Sequence, residues 1–136
     1  MAFLFSALWV FASESNNVSN IGTYKTGTAS ASLSVPSGTV TTIATIALTA
    51  GIWVVVGGFQ LASSAQGKMC YGVIANSSNS NISGTLVRFD GNGGGGYNGT
   101  TILQLTSNAS YLLRAYQSSG SAITMSNVSM RAVRIA

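Results

Sequence analysis

The chain has 136 residues, enough for one domain, with 46% hydrophobic residues, 6% charged residues and a formal net charge of +4. So apolar a composition excludes a disordered chain, which is poor in apolar residues and rich in charge. Charge this sparse, against roughly 25% in an ordinary soluble domain, leaves Ser, Thr, Asn and Gly to wet the surface, a pattern common in extracellular and virion β-proteins.

Histidine is absent and the only carboxylates are Glu14 and Asp90. That removes Ser-His-Asp triads, Cys-His dyads and His-based metal sites together. A glycosidase needs two carboxylates across one bond, and a calcium cage needs several acidic oxygens; neither is supplied here. The expectation is a non-enzyme with no cofactor and no metal. The six cations, Lys25, Lys68, Arg88, Arg114, Arg131 and Arg134, form no run. They read as scattered surface or interface charges, not as a nucleic-acid footprint. Cys70 is the single cysteine, so there is no intrachain disulfide. Its apolar neighbours suggest a small buried hydrophobe.

In chain order, residues 1–15 open with the almost wholly apolar run MAFLFSALWVFA. A signal peptide would carry a basic leading region, and none is present. A membrane-spanning helix needs about 20 apolar residues, so no membrane span is expected. Phe3, Phe5, Trp9 and Phe11 fall on one face at period two, whereas Leu4, Leu8 and Phe11 fit a helical face; both readings stand. Three Phe and one Trp call for a covering surface. Phe3, Phe5, Leu8, Trp9 and Phe11 are therefore the candidate residues of an apolar N-terminal docking arm. Residues 16–27 are polar and read as a linker.

From residue 28 to 136 the chain is a series of short β-like runs. Ala29, Ala31, Leu33 and Val35 alternate with polar residues, and Pro36-Ser37-Gly38 turns. Val40 to Leu48 is a second strand. Ile52 to Leu61 (IWVVVGGFQL) is the most apolar run and reads as a central strand that needs cover on both faces; Gly57-Gly58 within it suggests a bulge or a close backbone approach. Lys68–Ala75, Ile82–Asp90, Thr101–Thr106, Tyr111–Gln117, Ala122–Met125 and Val128–Ile135 complete the set. About eight or nine strands at this spacing imply an all-β antiparallel sandwich. Between them, Gly91–Gly99 is glycine-rich. It lacks the Lys-Ser/Thr ending of a phosphate-binding loop, so it reads as a surface loop. If it recognises a ligand, Asn92, Tyr97 and Asn98 are the candidate contacts.

The segments Val35-Pro36-Ser37-Gly38-Thr39-Val40, Leu48-Thr49-Ala50-Gly51-Ile52-Trp53-Val54-Val55-Val56-Gly57-Gly58-Phe59-Gln60 and Ile123 to Ile135 (ITMSNVSMRAVRI) carry a resemblance. Together they resemble bacteriophage virion jelly rolls of the tail-fibre-tip and capsid-decoration type, which are similar to tumour-necrosis-factor-like jelly rolls. The resemblance covers roughly residues 27–136. It implies a jelly-roll sandwich, a homotrimer, a virion location and no catalysis, and it carries over no functional residue.

Three roles follow as expectations. The first is a capsid decoration protein that meets other virion proteins, of capsid or tail, through its arm. The second is a tail-fibre receptor-binding tip that recognises a host surface glycan or protein. The third is a secreted carbohydrate-binding module.

Overall fold

The computed structural model describes residues 20–62, 65–91 and 95–136. These residues form ten strands: β1 (Tyr24–Thr26), β2 (Thr28–Ala29), β3 (Ser32–Val35), β4 (Thr41–Leu48), β5 (Gly51–Leu61), β6 (Ala65–Asn76), β7 (Val87–Gly91), β8 (Gly96–Leu105), β9 (Ala109–Gln117) and β10 (Ile123–Arg134). All the pairings are antiparallel.

Two sheets result. The first runs β1-β10-β5-β8, with β3 also on β10; the second runs β2-β4-β9-β6-β7. Counted together, β1 to β3 make one interrupted first strand. The first sheet is then first–last–β5–β8 and the second is β4–β9–β6–β7, which is the strand order of a jelly roll. Strand pairing begins inside the stretch expected as a linker, because Tyr24–Thr26 already pairs with β10.

Period-two alternation sends one side of each strand into the space between the sheets. From β5 that side is Trp53, Val55, Gly57, Phe59 and Leu61; from β9 it is Tyr111, Leu113, Ala115 and Gln117. Met125, Met130 and Ala132 of β10 and Ile46 and Leu48 of β4 complete the core. Burying each large apolar side chain contributes about 1.5–3 kcal/mol. Polar atoms in this layer are partnered. The Trp53 indole donates to the Thr49 carbonyl at 2.9 Å. The fully buried Gln117 donates to the Val35 and Ser121 carbonyls and accepts from the Ser119 amide, so its burial carries no unmet hydrogen bond.

Three segments differ from the sequence expectation. Ala122–Met125 and Val128–Ile135 are one strand, β10, broken by a register shift between Ser126 and Ser129 where Asn127 takes φ 51°. The irregularity foreseen at Gly57-Gly58 thus falls on the neighbouring strand. Gly57 itself serves a close approach, since a β-carbon there would lie 3.1 Å from Leu113 of the opposite sheet. Of Ile82–Asp90, only Val87 onward is strand. The part before it folds over the end of β6, where the Thr85 hydroxyl bonds the Ile74 and Ile82 carbonyls.

Candidate docking and recognition surface

The glycine-rich stretch is shorter as a loop than its composition suggests, because β8 pairs with β5 from Gly96↔Gln60 onward. Alternation then turns Tyr97, Gly99 and Leu103 inward and Asn98, Thr100 and Ile102 outward. Tyr97, expected as a recognition contact, is a core residue only 3% exposed. Its ring stacks on Phe59 at a centroid distance of 5.5 Å, and its hydroxyl donates to the Thr85 carbonyl at 2.8 Å. Two glycines make the slot it fills: a β-carbon on Gly72 would strike the ring, and one on Gly99 would strike the hydroxyl. Burial pushes the Tyr97 phenol up to about 12, with Thr85 offsetting part of the rise. Asn98 is exposed. Asn92 and the arm residues Phe3, Phe5, Leu8, Trp9 and Phe11 lie outside the described residues.

Outward side chains of the first sheet form two adjoining zones. The first is a hollow of about 380 Å³ lined by Val56, Gly58, Gln60, Asn98, Asn127 and Ser129 among others. Asn98 and Ser129 flank Gly58 in register, so the missing side chain of Gly58 leaves the space between them. The bulge on β10 carries Asn127 to the rim, where its amide donates to Gln60 Oε1 at 2.6 Å. The side-chain donors and acceptors here are amides and one hydroxyl. They can hydrogen-bond a neutral polar group, but they include no acid or base to move a proton.

The second zone is apolar. The register aligns Tyr24 with Val133, Val133 with Val54, and Val54 with Ile102, so one row of apolar side chains crosses four strands. Tyr24 is 54% exposed and Ile102 is 65% exposed. Beside the row lies a depression of about 320 Å³ lined by Tyr24, Val54, Val56, Arg131, Ala132 and Val133. Contiguous exposed apolar surface of this kind is a candidate interaction surface. Only the two-sided apolar character of Ile52 to Leu61 announces it in the sequence. Tyr24, Val133 and Ile102 join the row through pairing between distant segments.

The outer face of the second sheet is different. Tyr71 and Tyr116 stack on each other at 4.9 Å and 12°. Arg114, paired with Val73, reaches the Asn79 carbonyl at 3.3 Å in the turn beyond β6. Its stem therefore crosses the face of β6, where Val73 and Ala75 are fully buried.

Cys70 is buried. Its thiol is pushed up by that burial and then by the negative charge of Asp90, which suppresses the thiolate that reactive cysteines need. Among the described residues, no group of three or more His, Cys, Asp or Glu side chains comes together.

No protein-family model matches the chain, and no curated protein sequence does so either. Solved structures do match. The chain is similar to the protein in the structure of infectious bursal disease virus Gt strain, with 17% identity and a TM-score of 0.54 over 84% of this chain and 33% of that one. It is similar to the infectious bursal disease virus VP2 subviral particle at 15% identity and a TM-score of 0.54, over 83% of this chain and 32% of that one. A match to the Gx strain of the same virus has 14% identity and a TM-score of 0.51, over 83% and 31%. The chain thus spans about a third of the length of the proteins it matches. At these identities the shared feature is the fold: a jelly-roll β-sandwich of the kind that these virus proteins contain.

Proposed function

We propose that the chain is a non-enzymatic structural protein of a virus particle, of the bacteriophage decoration type, working as a homotrimer on the particle surface. The observation that carries this reading is the pairing of a jelly-roll strand order with an apolar row that, among the described residues, is exposed across the first sheet. A protein that acts by adhesion needs such a surface and needs no proton-transfer group. The fold likeness to proteins of infectious bursal disease virus supports the same reading. Residues 1–12 are the proposed docking arm, and they meet the capsid together with the apolar row.

The test is attachment. The full chain should co-purify with particles, and particles that lack it should burst at lower temperature. Removing residues 1–12 should abolish attachment. Retained attachment, or unchanged particle stability without the protein, would overturn the decoration role.

A second reading, a receptor-binding tip for a host surface glycan or protein, is favoured by the amide-lined hollow at Gly58, Gln60, Asn98 and Asn127. There, the purified protein should bind host cells, and Asn98→Ala should abolish that binding.

A further inference from the structure

We propose that the apolar row on the outer face of the first sheet is the docking site for the chain's own residues 3–11, in the same molecule. The inference concerns the free protein, before the segment and the row meet a capsid.

Three observations converge on that occupant. The first is where the described chain begins. Asn20 to Thr23 is a tight turn, closed by the Thr23 amide donating to the Asn20 carbonyl at 3.2 Å. Its third residue, Gly22, has φ +83°, which a turn of this kind demands. The turn is tied to the end of β10 by hydrogen bonds from the Gly22 amide to the Arg134 carbonyl and from the Arg134 amide to the Thr23 carbonyl. Asn20 is thus held within one reverse turn of β1, the edge strand that carries Tyr24, the first residue of the apolar row.

The second observation is reach. From Phe11 to Asn20 an extended chain covers about 30 Å, whereas crossing four strands takes roughly 15 Å. The polar stretch before Asn20 is long enough to lay Phe3, Phe5, Leu8, Trp9 and Phe11 across Tyr24, Val133, Val54 and Ile102.

The third is chemical match. Residues 1–12 hold no charged side chain, so laying them on Val54, Val56, Val133 and Ile102 desolvates no ion. The nearest charge on the segment, Glu14, has the opposite sign to Arg131, which borders the depression beside Val56. A segment on a short tether meets its own face at an effective concentration on the order of millimolar. That favours its own sheet over the face of a second copy in dilute solution.

Photo-cross-linking in the full chain tests this. A benzophenone amino acid replaces Phe5, and in a second protein Trp9, and the adducts are mapped by mass spectrometry at low micromolar concentration. Adducts should fall on residues 52–56, 100–104 and 131–133 and should run at the mass of one chain. Ile102→Asp should cut their yield about tenfold, the effect of roughly 1.4 kcal/mol of lost docking. Val87→Asp, a change at an exposed position of the second sheet, should leave the yield unchanged. Near-ultraviolet circular dichroism verifies that each variant is folded. Adducts at the mass of two chains would assign the face to a second copy and overturn the proposal. Adducts on the second sheet, an absence of adducts, or a yield indifferent to Ile102→Asp would overturn it as well.

Discussion

Tyr97 and Asn98 are neighbours on β8, both flanked by glycines, and they belong to opposite regimes. The ring of Tyr97 is held between Gly72 of one sheet and Gly99 of the other, with no room for even a β-carbon on either glycine. Asn98 stands one residue along, in solvent, at the edge of a hollow. The same contrast runs the length of the strand, with Leu103 buried and Ile102 exposed. The inward side of β8 fixes the structure and leaves no space for a ligand. A ligand that meets β8 must meet its outward side.

The sharpest way to break this contrast is Gly99→Ala. The new methyl group collides with the Tyr97 hydroxyl, so the ring must tilt and give up its bond to Thr85. Overpacking plus a stranded buried polar group costs about 3 kcal/mol. Urea denaturation should record a loss of that order with an unchanged slope. A loss below about 1 kcal/mol would mean that the slot is slack and that the inward side is no tighter than the outward one.

Tyr97→Phe comes next, because it keeps the ring in its slot and deletes only the hydroxyl that donates to Thr85 at 2.8 Å. The Thr85 carbonyl is left short of a partner, and about 1–2 kcal/mol should be lost. The same hydroxyl makes stability depend on pH. Its pKa rises from the ordinary 10.0 to about 12 because burial disfavours the phenolate. The unfolded chain therefore ionises first as pH rises. The stability that Tyr97 contributes is complete below pH 10, and it drains away as pH climbs toward 12. Tyr97→Phe should flatten that part of the stability profile, and a tyrosinate absorbance titration should give one late-titrating phenol that the variant lacks.

This contrast also explains what could be read from the sequence. Alternation at Ala29 to Val35 and the long apolar run Ile52 to Leu61 are local signals, and they gave an all-β antiparallel sandwich in advance. The Gly91–Gly99 stretch misled because a glycine looks alike in sequence whether it relaxes a loop or clears space for a ring. At Gly99 it clears space, and only the partner strand reveals that. Along the sequence Ala122–Met125 and Val128–Ile135 stand as two strands; pairing with β5 on both sides of the bulge makes one strand of them. Beyond Val54, the exposed apolar row has no local signal, for a related reason. Val133, Tyr24 and Ile102 are far apart along the chain, and only the strand order of the sheet lines them up. The second sheet also has apolar residues on the outer face of β6, but there Arg114 lays its stem across Val73, and long-range placement of a cation has no local signature either.

The smallest expected effect is also the one that separates the two functional readings. Asn98→Ala removes an exposed amide from the outward side. With no packing to disturb, stability should move by less than about 0.5 kcal/mol, measurable as an unchanged urea midpoint. A larger loss would show that the outward side is structural too, and the contrast with Tyr97 would dissolve. Because folding is untouched, a functional change in this variant reads directly on recognition. Under the decoration reading Asn98 lies beside the apolar row and not in it, so particle attachment should survive. Under the receptor-tip reading the hollow loses the amide that faces Gly58 and Ser129, and cell binding should fall. An unaltered fold with lost cell binding would move the functional centre from the apolar row to the amide-lined hollow a few residues away on the same sheet.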